Sequence, residues 1–158
     1  YSVEKFGEKH CELEKINDKL AIGQVYLWLG NQQEALPKIT AAYEENSGCL
    51  ETCIYYAYSI WKAGRHEEAI DLLIDLTRKN RGFEDGFCLL GMIYKDLGEY
   101  DKAIKYFKET LFYNDRNAFA RCELGKTYKL AGDRKKALEE YRKLYETDPA
   151  MASMILTD

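Results

Sequence analysis

The stretch Phe87-Cys88-Leu89-Leu90-Gly91-Met92-Ile93-Tyr94, followed by Gly98 and then by Ala103 and Phe107, decides the fold. Gly91 and Ala103 lack bulk, so the pattern predicts two antiparallel helices that come close at those points. Tyr94 and Phe107 supply volume on either side. Gly98 lies between the helices as a turn residue that tolerates unusual backbone angles.

The same pattern returns when the sequence is shifted by 34 residues. Ala103 falls on Ala35, Ala69 and Ala137, and Gly98 on Gly30, Gly64 and Gly132. Gly91 falls on Gly23, Ala57 and Gly125, and Tyr94 on Tyr26, Ile60 and Tyr128. Phe107 corresponds to Ile39, Leu73 and Tyr141, and the loop after each second helix carries Asn46, Asn80, Asn114 or Asp148. On these residues the chain resembles the tetratricopeptide repeat family. The resemblance implies an all-α, right-handed superhelical solenoid of antiparallel helix pairs. The units fall at 16–49, 50–83, 84–117 and 118–151, in a single array over 1–158. Residues 1–15 read as the remnant of a preceding helix and 152–158 as the start of a further or capping helix.

Composition agrees with a folded repeat array. The 158 residues include two prolines, 32% are charged, and no long polar tract occurs, which argues against disorder. No apolar run approaches the ~20 residues of a membrane span, so membrane insertion is not expected. A net charge of −4 argues against general nucleic-acid binding. The N-terminus shows neither a basic flank nor an apolar signal core. The chain starts at Tyr1, Ser2–Phe6 resemble the second helix of an earlier repeat, and Met151–Leu156 read as a helix cut short, so a larger parent protein is expected. Five cysteines (Cys11, Cys49, Cys53, Cys88 and Cys122), an odd number in a fold that needs no staples, suggest reduced thiols and a cytoplasmic location. Cys49 and Cys53 stand one helical turn apart, but no histidine matches them and a zinc site is not expected.

Some units depart from the family pattern. Pro37 falls about six residues into a helix expected over 32–45, so that helix either starts late or kinks. The helix expected over 50–63 is unusually aromatic, with Tyr55, Tyr56, Tyr58 and Trp61. Arg121 occupies the bulky first position of its unit. There it either weakens the contact to the preceding unit or packs its stem while its charge reaches water. Apolar residues at helical spacing within 2–13 predict one more helix.

Chemistry is sparse. His10 and His66 are the only histidines, and no serine, threonine or cysteine has a recognisable activating partner. The glycines follow the repeat rather than clustering in a phosphate loop. No enzyme, cofactor or metal is expected. Binding is the stronger reading, because in the family the first helix of each unit lines a concave groove. Carried over by register, that resemblance implies Leu20, Gln24 and Trp28 from the first unit. It implies Ile54, Tyr55, Tyr58, Trp61 and Lys62 from the second, Leu89, Met92 and Lys95 from the third, and Lys126 from the fourth. Lys129 and Leu130 are further groove positions of the fourth unit. The lysine, asparagine and arginine set with which chaperone-binding members clamp a C-terminal carboxylate is absent, since Leu20, Gln24, Asp85 and Leu89 stand at those positions. Arg116, Arg121, Lys126, Lys129, Arg134, Lys135, Lys136, Arg142 and Lys143 give the last unit a basic excess. That excess is a solvated face or a patch for an acidic partner.

The expectation is a non-enzymatic interaction module that binds a protein or peptide segment in an apolar, aromatic groove. Two alternatives stand beside it. One is a secretion-type or assembly chaperone that holds apolar segments. The other is a structural segment of a larger multidomain protein.

Overall fold

The computed structural model describes residues 18–157. The helix expected within 2–13, with His10 and Cys11, lies outside them. Nine helices and no strand occur among the described residues. They are α1 (Lys19–Trp28), α2 (Gln32–Glu45), α3 (Leu50–Lys62), α4 (His66–Lys79) and α5 (Glu84–Asp96). After them come α6 (Tyr100–Tyr113), α7 (Ala118–Leu130), α8 (Arg134–Tyr145) and α9 (Pro149–Leu156). Internal packing divides the chain into two compact units, one ending at Ala69 and one beginning at Ile70, with α4 crossing the boundary.

Four turns share one hydrogen-bond geometry, and it accounts for the glycine spacing. The amides of Asn31, Arg65, Glu99 and Asp133 donate to the carbonyls of Tyr26, Ile60, Tyr94 and Tyr128, each at 2.9 Å. The residue just before each amide is Gly30, Gly64, Gly98 or Gly132, with φ between 75° and 84°. This is the Schellman closure, which satisfies orphan carbonyls at a helix end through a left-handed residue. A β-carbon built at any of these four glycines meets nothing within 4 Å, so backbone angle rather than space requires glycine there. Side chains close several of the opposite ends. Asp18, Asn31, Asn117, Asp133 and Asp148 each accept the amide three residues on, satisfying first-turn donors.

In the first compact unit the core is Ile22, Tyr26, Ala35 and Ile39, with Val25, Leu27, Tyr55 and Tyr56 packed against it. Tyr43 of α2 stacks on Tyr56 of α3 with ring centroids 4.2 Å apart. Helix α2 starts on time at Gln32 and runs through Pro37. The late start considered above does not occur, and the exposed proline removes only the donor that would have reached the Gln33 carbonyl.

In the second compact unit a β-carbon on Gly91 would stand 2.7 Å from Phe107, which is fully buried. Rings then run in a line along α5 and α6: Tyr113 to Phe87 at 5.7 Å, Phe87 to Tyr106 at 6.5 Å and Tyr106 to Tyr94 at 5.5 Å. One repeat later the Phe87–Tyr106 positions are Arg121 and Glu140, and an ion pair at 2.9 Å replaces the stack. Arg121 therefore neither loosens its contact nor sends its charge to water, because Glu140 is buried beside it and the Asp115 carbonyl accepts a further bond at 2.7 Å.

Helix α9 breaks register. Its predecessors at this place in the repeat, α3, α5 and α7, begin 34 residues apart, whereas α9 begins at Pro149 instead of Ala152. Proline at the first helical position and Asp148 as cap set the early start. Ile155 consequently lies over Gly125, where a β-carbon would meet its Cδ1 at 2.6 Å. In the preceding repeat the equivalent space over Gly91 is filled from the same helix pair, by Phe107.

Candidate functional site

The residues assigned to the groove by register fall into different environments in the two compact units. In the first unit, Leu20 and Gln24 are half-exposed on α1, and the Gln24 amide donates to the Glu51 carboxylate at 3.0 Å. Trp28, at the end of α1, is 72% exposed. On α3, Ile54, Tyr55 and Tyr58 are half-buried. Tyr55 braces the Ile22–Tyr26–Ile39 core from one side, so it is both support and surface. Tyr58 meets Trp61 edge-on at 5.6 Å, and the Lys62 ammonium lies 3.7 Å from the centre of a Trp61 ring.

Two assignments need correction. Trp61 is only 3% exposed and Leu89 only 6%, so neither offers the contact surface expected of it. Trp61 is covered in part by Tyr58 and Lys62, its neighbours on the same helix face. Leu89 sits on α5 between the buried Cys88 and Leu90. Of the aromatic groove assignments on α3, Tyr55 and Tyr58 remain accessible.

In the second unit the sequence-assigned Lys95 and Lys126 converge. Both ammonium groups donate to the single carboxylate of Glu123, which lies on α7 with little solvent exposure; the Lys126 bond is 3.0 Å. Burial alone would push the Glu123 carboxyl upward, yet the bonds from Lys95 and Lys126 hold it below its ordinary range. Together with Lys129, Leu130, Met154 and Thr157, the two lysines line a cavity of about 630 Å3 among α5, α7 and α9. Lys129 donates to the carbonyls of Leu156 and Thr157 at 3.3 and 2.8 Å, tying α7 to the end of α9. Half-exposed Met92 lies on the α5 face that carries Lys95, one turn away.

Register identified Lys95, Lys126, Lys129 and Leu130 but missed Met154 and Thr157. A shift by the repeat length puts Met154 on Ala120, outside the groove register, because α9 starts ahead of the pattern; Thr157 does fall one repeat after Glu123, but beyond the four assigned units. Glu123 follows Leu89 by one repeat length and so shares its register, but the register pairs it with no lysine. Its partner Lys95 is 28 residues away in sequence, on a different helix.

Burial pushes the Cys88 thiol up to about 12 and also raises Cys122, so both stay protonated and are poor nucleophiles. No group of three metal-ligating side chains occurs among the described residues. No helix among them is long and apolar enough to cross a membrane.

Stacked helix pairs with glycine-closed turns and a side-chain-lined cavity define a helical repeat scaffold for protein–protein interaction. Residues 84–117 and 120–151 each match the tetratricopeptide repeat family, and the chain is a tetratricopeptide-repeat protein. Neither match is to a catalytic family. The chain is similar to the BBSome complex member BBS4 of Bos taurus, 29% identical over 128 residues. That alignment takes in 81% of this chain but only 24% of BBS4, so the chain spans about a quarter of this relative's length. Among solved structures, TTC0263, a thermophilic tetratricopeptide-repeat protein of Thermus thermophilus, superposes with a TM-score of 0.77 at 22% identity, covering 87% of this chain and 77% of that one. The MamA protein superposes with a TM-score of 0.68 at 23% identity, covering 85% and 74%. At these identities the likeness concerns the fold.

Proposed function

We propose that the chain is a non-enzymatic binding module that holds a segment of another protein along the first helices of its repeats. The observation that carries this reading is the half-exposed row Leu20, Ile54, Tyr55 and Tyr58 in the first compact unit. These are bulky apolar side chains at the positions the family turns toward its ligands. Aromatic groups held by a core lose little entropy on binding and dominate contact energies. The module acts in a reducing compartment such as the cytoplasm. In support, the described thiols Cys49, Cys53, Cys88 and Cys122 are all free, and the last three are buried.

The test is capture of partners with the 158-residue chain, followed by titration of the captured protein against Ile54→Ala/Tyr58→Ala. The double variant should weaken binding about tenfold or more while keeping its helical circular dichroism. Unchanged affinity would remove the first-helix face as the site.

A second reading is favoured by the relative's description as a complex member and by the chain's spanning only 24% of that relative. In it the array is a structural segment of a larger polypeptide within an assembly. It predicts that captured proteins are co-subunits whose binding ignores Ile54 and Tyr58.

A further inference from the structure

We infer that the cavity among α5, α7 and α9 receives an internal acidic side chain of the bound segment, seated beside a bulky apolar one. The inference rests on the binding function proposed above and specifies the chemistry of the ligand in the second compact unit. Among the described residues, none of the six that line the cavity is acidic. Lys95 and Lys126 share one carboxylate, Glu123, which lies beneath them. Each ammonium carries three donors, so donors remain at both lysines for a second carboxylate. The lysine side chains are largely enclosed, 20% and 28% exposed, so a charge placed between them is screened less than at an open surface.

Two of the other lining residues are apolar and open to contact, with Leu130 57% and Met154 48% exposed. A small anion would use the lysines and leave Leu130 and Met154 wet. A wholly apolar segment would leave the paired ammonium groups against hydrocarbon. An acidic residue next to leucine or methionine in one chain satisfies both the lysines and the apolar pair. The acidic group is a side chain because the terminal-carboxylate clamp residues are missing from this sequence.

Glu123 sets the balance. As the internal carboxylate already held by both lysines, it competes with the incoming one. Replacing it with glutamine keeps the shape and leaves both ammonium groups for the ligand.

The test uses the 158-residue chain and a fluorescent peptide of leucine, glutamate and serine, acetylated and amidated so that no terminal charge exists, beside its glutamine counterpart. Anisotropy titration at low salt should give roughly tenfold tighter binding for the glutamate peptide, with the ratio falling toward one as salt rises. Lys126→Gln should cost the glutamate peptide about fivefold and Glu123→Gln should gain about as much. Leu130→Ser should weaken both peptides alike.

Equal affinity for the two peptides, or no binding of either, overturns the inference. So does displacement by millimolar inorganic phosphate, which would mark a plain anion site. If a captured partner still depends on Ile54 and Tyr58 while Lys126→Gln changes nothing, the binding function stands and this refinement alone fails. The salt dependence of the peptide ratio reads the charge without relying on any variant's folding.

Discussion

One position of the repeat is solved in two chemically opposite ways. In the third repeat Phe87 and Tyr106 stack, while in the fourth Arg121 and Glu140 form an ion pair at 2.9 Å. Glu140 also takes a hydrogen bond from Lys143 at 2.8 Å. Removing one member of a buried pair strands the other charge, whereas replacing both with apolar groups of similar size is often neutral or stabilising. Glu140→Ala should therefore cost about 3 kcal/mol. The double change Arg121→Phe/Glu140→Tyr, which copies the preceding repeat, should restore most of it. Urea melts check both, and a harmless Glu140→Ala would show that the pair is solvated rather than structural. From sequence alone Arg121 either weakened a contact or packed its stem with its charge in water. The partner that neutralises it is 19 residues away, on the next helix.

The helices themselves were largely legible, because a turn geometry repeated four times leaves four glycines at a fixed spacing. Gly98 has φ of 75° and open space around it, so the strain of a β-carbon there is purely conformational. Gly98→Ala should cost about 1 kcal/mol in thermal melts, and Gly98→Asn less, since asparagine tolerates left-handed angles better. Equal melting temperatures for wild type and Gly98→Ala would contradict the turn assignment. Helix α9 was not legible in this way. Its start is set by the local signals Asp148 and Pro149, which override the repeat, and only the fold reveals that Ile155 fills the space over Gly125.

At the scale of the molecule, the family was readable because backbone turns and close helix approaches constrain residue type directly. The binding surface was readable only in outline. Register says which face a residue is on, but whether that residue is accessible depends on its neighbours. Trp61 is partly covered by Tyr58 and Lys62, and Lys95 finds its carboxylate on another helix. The proposed binding function puts ligand against the first helices of the repeats. It is tested most directly by placing a benzophenone photocrosslinker, one at a time, at Tyr58 and Met92 on those helices and at Glu67 and Lys105 on the exposed sides of α4 and α6. Irradiation in the presence of a captured partner should yield crosslinked product from Tyr58 and Met92 positions and little from those of Glu67 and Lys105. Crosslinks confined to the Glu67 and Lys105 positions would place the partner on the second helices and contradict the account.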